Sequence, residues 1–144
     1  MIIHTMSEGM TLAHKLENDG VAFYEALAKK YPADAETFQA FAGQNKKNVE
    51  QIDRAYYGVI TDALEGGYAL NLEADGYALK TDIPAKIAEA LKQALAIEEK
   101  TVDFYLKAAE QSRALMADVP RNFLLIAKKR EARKAKLQEM MAKA

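Results

Sequence analysis

The feature that most constrains this fold is an internal repeat in the amino-acid sequence. Residues 16–24, Leu-Glu-Asn-Asp-Gly-Val-Ala-Phe-Tyr, align with residues 97–105, Ile-Glu-Glu-Lys-Thr-Val-Asp-Phe-Tyr, at an offset of 81. A second alignment, at an offset of 85, matches residues 38, 41, 42 and 52 with residues 123, 126, 127 and 137. Two copies of one helical hairpin can bury their apolar stripes against each other, so the repeat predicts a bundle built from two similar halves.

Apolar residues recur at helical spacing in four segments that are separated by turn residues. The predicted helices run from about Ser7 to Lys30, from after Asp34 to about Ala63, from near Pro84 to about Ser112, and from near Asp118 to Ala144. Ser7 is expected to cap the first helix and Asp82 the third. Residues 66–83 show no clear period and are predicted to form a long crossover connection. The prediction is a single domain over residues 1–144, an all-α, ferritin-like four-helix bundle of two hairpins joined by that crossover.

The composition excludes several classes of function. The chain has no cysteine, which removes disulfides, thiolate metal sites and thiol nucleophiles. Its net charge of −1 provides no overall field toward nucleic acid or anionic lipid. No apolar run approaches the roughly 20 residues that span a bilayer, and residues 1–10 lack the features of a secretion signal. We therefore expect a cytoplasmic protein that binds neither nucleic acid nor a membrane.

Polar residues stand at positions where the heptads place the core. The rows Met10, Glu17, Tyr24 and Leu91, Glu98, Tyr105 point one glutamate inward from the first and third helices. The same rows on the second and fourth helices carry Asn45, Asn48, Arg130 and Arg133. Two glutamates and two arginines sum to zero charge. We expect them to pair, with bidentate contacts suited to arginine, while the amides satisfy the remaining donors and acceptors.

This pattern resembles the rubrerythrin-type diiron domain of the ferritin-like superfamily, over nearly the whole chain. A glutamate seven residues before a tyrosine on the first and third helices is similar to that family, in which those glutamates ligate two irons. The family carries Glu-x-x-His on the second and fourth helices after an apolar-Ala pair. Here Phe41-Ala42 precedes Asn45 and Asn48, and Ile126-Ala127 precedes Arg130 and Arg133. The resemblance implies a degenerate diiron site with four of six ligands replaced, beside Tyr24 and Tyr105.

Arginine has no lone pair for a metal and carries a permanent charge that repels a cation. The leading hypothesis is therefore a metal-free, non-catalytic scaffold or interaction protein without an identified protein partner. We expect a homodimer whose interface uses the aromatic residues Tyr56, Tyr57, Tyr68 and Tyr77. One alternative is a rubrerythrin-like oxidoreductase that acts on iron, peroxide or oxygen through an altered site. Another is a small-molecule binder with its pocket between the helices. A polar layer that only sets helix register also fits the pattern.

Other residues give weaker signals. His14 lies one turn before Glu17 and could join Glu17 and Glu98 around a single metal ion. Met1, His4, Met6 and Met10 bear only a faint likeness to a soft-metal site. Glu50 and Asp53 are expected to be solvated. The last helix has a local excess of five positive charges, which we attribute to a solvated face that complements the helix dipole.

Overall fold

The computed structural model describes residues 1–60, 67–114 and 118–144. Within these ranges the chain forms four α-helices and one small two-stranded sheet. The helices are α1 (Met6–Lys30), α2 (Ala35–Tyr57), α3 (Ile87–Ser112) and α4 (Asp118–Lys143). The strands are β1 (Ile2–Thr5) and β2 (Tyr68–Glu73), and short 3-10 helices span Pro32–Asp34 and Ala74–Tyr77. The structure is 79% helical, which confirms the predicted all-α class.

Helix α1 begins one residue earlier than predicted, and its cap is not Ser7. Thr5 adopts an extended backbone, and its hydroxyl accepts a hydrogen bond of 3.1 Å from the backbone N–H of Glu8. The Glu8 carboxylate in turn accepts from the backbone N–H of Thr5 at 3.0 Å. This reciprocal capping box satisfies two donors at the helix start, which a cap at Ser7 would leave unpaired. Tyr31 and Pro32 end the helix as predicted.

The boundaries of α2 and α3 differ from the prediction by several residues. Helix α2 ends at Tyr57, where Gly58 follows, instead of continuing to Ala63. Ala63 itself lies outside the described residues. Helix α3 begins at Ile87 rather than near Pro84, because Lys86 keeps an extended backbone with φ −108° and ψ 139°. Asp82 does not cap this helix; its carbonyl instead accepts a hydrogen bond from Gln93 of α3 at 2.8 Å.

The described part of the connection between α2 and α3 contains a strand that the sequence analysis did not predict. Strand β2 pairs antiparallel with β1, with Ile2 opposite Glu73 and Ile3 opposite Leu72. In the second half of β2 the side chains alternate, because Leu70 and Leu72 are buried against the bundle while Asn71 and Glu73 are exposed. That alternation of period two was visible in the sequence. The strand was missed because its partner lies some seventy residues earlier.

The four helices pack in a definite order. Helix α1 packs against α2, and α3 packs against α4, as the two predicted hairpins require. The hairpins meet through contacts of α1 with α3 and of α2 with α4. No helix of the described ranges has the length and apolarity needed to cross a membrane.

The apolar core is divided into two clusters. One contains Met10, Leu16, Ile52, Phe104 and Phe123 and lies under the small sheet. The other, toward the opposite end of the bundle, contains Phe23, Leu27, Phe38, Leu91 and Leu137. Between these positions along each helix stand the polar residues singled out above.

Candidate functional site

The six polar residues at core positions form one connected layer, which we call the charged layer. Its members are Glu17 of α1, Asn45 and Asn48 of α2, Glu98 of α3, and Arg130 and Arg133 of α4. Each is at most 2% exposed. All four helices therefore contribute at least one polar side chain to the interior at the same level of the bundle.

Arg130 lies at the centre of the charged layer and bridges the two glutamates. Its Nη1 donates to Oε1 of Glu98 at 2.5 Å, and its Nη2 donates to Oε1 of Glu17 at 2.7 Å. The expected bidentate contact with one carboxylate is therefore wrong. Each terminal nitrogen serves a different helix, because Glu98 lies on α3 and Glu17 on α1. One cation thus joins α1, α3 and α4.

Arg133 contacts polar side chains of α2 and α3 and two aromatic rings. Its Nη1 donates to Oδ1 of Asn45 at 2.7 Å and to Oε2 of Glu98 at 3.2 Å. Its Nη2 donates to Oε1 of Gln44 at 2.6 Å. The guanidinium carbon lies 5.4 Å from the ring centre of Tyr24 and 4.8 Å from that of Phe41, distances typical of cation–π contacts. Gln44 was not singled out from the sequence, because its position flanks the inward rows of α2 and is only partly buried.

The two tyrosines that accompany the glutamates bind across the hairpins. Tyr24 of α1 donates its hydroxyl to Oε2 of Glu98 at 2.6 Å, and Tyr105 of α3 donates to Oε2 of Glu17 at 2.6 Å. Each tyrosine therefore binds the glutamate of the other copy of the repeat. The exchange also shows that α1 and α3 run antiparallel, since residue 17 faces residue 105 and residue 24 faces residue 98.

The amides of α2 complete the coordination of Glu17. Nδ2 of Asn48 donates to Oε1 of Glu17 at 3.2 Å, and Nδ2 of Asn45 donates to the backbone carbonyl of Glu17 at 3.1 Å. Gly20 makes this approach of α1 and α2 possible, because a Cβ at Gly20 would overlap Nδ2 of Asn45. The absence of a side chain at Gly20 thus gives Asn45 the space to reach the backbone of Glu17.

Burial and neighbouring charges set the protonation of Glu98 and of the two tyrosines that accompany the layer. Burial by itself would raise the pKa of Glu98, but the charges of Arg130 and Arg133 outweigh burial and hold that pKa below its ordinary value. Burial, reinforced by the adjacent carboxylates, raises the pKa of Tyr24 and of Tyr105 well above 10. Both phenols therefore remain hydrogen-bond donors at physiological pH.

The charged layer offers few free ligand atoms to a pair of iron ions. All four carboxylate oxygens of Glu17 and Glu98 accept hydrogen bonds from tyrosine, arginine or asparagine of this chain. Only Oδ1 of Asn48 and Nε of Arg130 and Arg133 are buried polar atoms of the layer without a partner. One amide oxygen is a poor ligand for iron, and the two Nε–H groups are donors. These residues do not fit a diiron centre without displacement of Arg130.

His14 does not join the charged layer. Its Nε2 lies 2.6 Å from Oδ1 of Asp53, and both side chains are about one third exposed. The expectation that Asp53 is simply solvated is therefore wrong, since it links α2 to α1. Within residues 1–60, 67–114 and 118–144, no group of three or more histidine, aspartate or glutamate side chains is arranged to hold a metal ion.

The remaining candidate residues are distributed over the surface and the core. Tyr56 and Tyr77 are 2% and 7% exposed and so are wrong as interface residues, whereas Tyr57 and Tyr68 are exposed by 69% and 81%. His4 stacks on Tyr68, with ring centres 4.9 Å apart. Met6 and Met10 are core residues. Because Arg130 and Arg133 point inward, the positive surface of α4 is weaker than its sequence suggests.

Comparison of the chain with protein-family models, with curated protein sequences and with solved structures gives no significant match. The charged layer is therefore the feature of this chain that bears most directly on its function.

Proposed function

We propose that this chain is a metal-free, ferritin-like four-helix bundle of the rubrerythrin type that acts as a non-catalytic scaffold or interaction protein. In this proposal the charged layer of glutamate, arginine and asparagine replaces the two metal ions. The observation that carries it is the position of Arg130, whose guanidinium binds Glu17 and Glu98 at 2.7 and 2.5 Å. In rubrerythrin-type proteins that keep their diiron site, the metal ions bridge carboxylates in this way.

Charge balance supports the replacement. The layer holds two carboxylates and two guanidinium groups, and buried charges are tolerated only when they are paired and hydrogen-bonded. Entry of a divalent cation would require Arg130 to leave its two partners and move into a core without other acidic groups nearby. Electrostatic repulsion and the cost of an unpaired buried guanidinium both oppose that change.

The packing order also supports a ferritin-like arrangement. Helix α1 lies beside α2 and α3, and α4 lies beside the same two helices, so α2 and α3 stand at opposite corners. Helices α1 and α3 are antiparallel, as their exchanged tyrosine–glutamate bonds require. Helices α2 and α3 are therefore parallel, so a connection between them has to run the length of the bundle. Contacts of Tyr77, Ala78 and Lys80 with Asp103, Lys100 and Gln93 along α3 support such a crossover.

The decisive experiment measures metal content and redox activity together. Protein purified without chelator should contain less than stoichiometric iron and manganese, and it should not turn over peroxide or ferrous iron. Stoichiometric metal with a saturable peroxidase activity that Glu98→Ala abolishes would contradict the proposal. It would favour the rubrerythrin-like oxidoreductase instead.

A variant with a restored ligand set tests the origin of the layer. Asn45→Glu, Asn48→His, Arg130→Glu and Arg133→His together return the missing carboxylates and imidazoles to a bundle that already carries Glu17 and Glu98. The folded variant should gain two irons per chain and show a ferric-oxo absorption band in air. A variant that folds, as judged by circular dichroism, but takes up no iron would argue against a degenerate diiron site.

The scaffold proposal includes self-association. Tyr57 and Tyr68 expose 69% and 81% of their surface, and exposed aromatic residues are enriched in protein interfaces. We expect light scattering at micromolar concentration to give the mass of a homodimer. A monomer at every concentration would remove this part of the proposal and leave the metal-free bundle unaffected.

A further inference from the structure

A preformed groove runs along the outer face of α3, away from the charged layer. It has a volume of about 320 Å³, and the segment that precedes α3 forms its second wall. Its apolar lining consists of Leu79, Pro84, Ala96 and Ile97. The volume lies at the lower end of the range for small-molecule pockets, roughly 300 to 1,000 Å³. The groove is therefore large enough for a small apolar ligand.

Side chains of α3 hold the second wall in place. Nε2 of Gln93 donates to the backbone carbonyls of Lys80 and Asp82 at 2.5 and 2.8 Å. Nζ of Lys100 donates to the backbone carbonyl of Ala78 at 2.9 Å. Three backbone carbonyls of an extended segment are thus fixed to one helix. A wall that is already ordered lowers the entropy that a ligand must overcome on binding.

The rim of the groove is positively charged. Lys80, Lys92 and Lys100 line it, and Glu89 is the only acidic residue of its lining. Lys80 and Lys92 are exposed and form no ion pair within the described part of the chain. Lysine can lay its alkyl stem along an apolar surface while its ammonium group reaches a ligand at the edge. The groove therefore combines an apolar floor with two available cations.

We propose that this groove binds an amphipathic anion, namely a medium-length alkyl chain with one carboxylate. The alkyl chain lies on Ala96 and Ile97, and the carboxylate lies between the ammonium groups of Lys80 and Lys92. A purely apolar ligand would leave the lysines unused, and a small polar anion would leave the floor exposed to water. This binding is separate from the proposed scaffold function, since none of the groove residues belongs to the charged layer.

The test is a titration of the wild-type protein with decanoate, followed by calorimetry and by NMR shifts of the Ala96 and Ile97 methyl groups. Decanol, which has the same chain without the charge, and butyrate, which has the charge without the chain, serve as matched probes. We expect saturable binding of decanoate with shifts confined to the groove. Decanol and butyrate should each bind at least about fivefold more weakly.

Three variants separate the groove from general surface effects. Lys92→Glu reverses one rim charge and should weaken decanoate binding at least about fivefold. Lys128→Glu makes the same reversal outside the groove and should leave the affinity unchanged. Ala96→Phe fills the exposed floor and should weaken decanoate and decanol alike. All three positions are exposed, so the variants should fold.

Several results would overturn the proposal. These are no saturable binding of decanoate, methyl shifts outside the groove, equal affinity for decanol, or equal weakening by Lys92→Glu and Lys128→Glu. Concentration-dependent self-association mapped to Ala96 and Ile97 would also overturn it, because a second copy of the chain would then occupy the groove.

Discussion

Replacing Arg130 by methionine removes the cation at the centre of the charged layer. Glu17 then keeps its hydrogen bonds from Tyr105 and Asn48, but it loses its only ion pair within the described residues. Glu98 still has Arg133 at 3.2 Å. The interior is left with one carboxylate charge that has no counter-charge, in a site where Glu17 is 0% exposed. Methionine has a similar length, so the loss is mainly electrostatic and not a cavity.

Removal of one partner from a buried ion pair costs about 3 to 5 kcal/mol. Arg130→Met should therefore lower the free energy of unfolding by about 3 to 5 kcal/mol at pH 7.

Urea denaturation of wild type and variant at pH 7.0 measures this deficit directly. Lys128→Met is the matched control, because Lys128 is an exposed cation on the same helix and should change stability by under about 0.5 kcal/mol. Adding Glu17→Gln to Arg130→Met removes the orphan charge, keeps an acceptor for Tyr105 and should recover much of the loss. A deficit below about 0.5 kcal/mol for Arg130→Met, or no recovery when Glu17→Gln is added, would refute the reasoning.

Three further predictions concern packing and hydrogen bonds. In Gly20→Ala the added methyl group would overlap Nδ2 of Asn45, so the variant should lose about 1 to 3 kcal/mol of stability in urea melts. Gly43 has open space around it, so Gly43→Ala should stabilise α2 by up to about 1 kcal/mol. Thr5→Ala removes the cap of α1 and should cost about 0.5 to 2 kcal/mol, while Ser7→Ala should be near neutral; the reverse order would restore Ser7 as the cap. Tyr105→Phe deletes a buried hydroxyl and should cost about 1 to 3 kcal/mol, and a neutral result would mean that its 2.6 Å bond contributes nothing net.

Acid should destabilise the wild-type protein through the same layer. The pKa of Glu98 is lowered in the folded state, because Arg130 and Arg133 outweigh the effect of burial. A lowered carboxyl pKa contributes stability above its unfolded value of about 4.3, and that contribution is lost as the pH falls through the folded pKa. Urea denaturation should therefore show that the wild-type protein loses stability as the pH falls below about 4, and a stability that is unchanged from pH 7 to pH 3 would contradict this prediction.

The sequence predicted the helices and the inward residues because both depend on local spacing. A seven-residue row returns to the same face of a helix, so Glu17 and Glu98 could be assigned to the interior without knowledge of their partners. The repeat made the antiparallel hairpins predictable for the same reason. Helix ends were less accurate, because Thr5 and Lys86 owe their roles to backbone conformations that residue type alone does not determine.

The sequence by itself determined that two carboxylates, two guanidinium groups and two amides must share the interior of a helical bundle. Only the tertiary structure decided that Arg130 bridges both glutamates and that Tyr24 and Tyr105 each bind the glutamate of the other hairpin. The tertiary structure also decided the pairing of β2 with β1 and the groove between α3 and the segment that precedes it, because each joins parts of the chain that are separated in sequence. Periodicity specifies which face a side chain occupies, whereas the choice of partner depends on how separate elements approach in three dimensions.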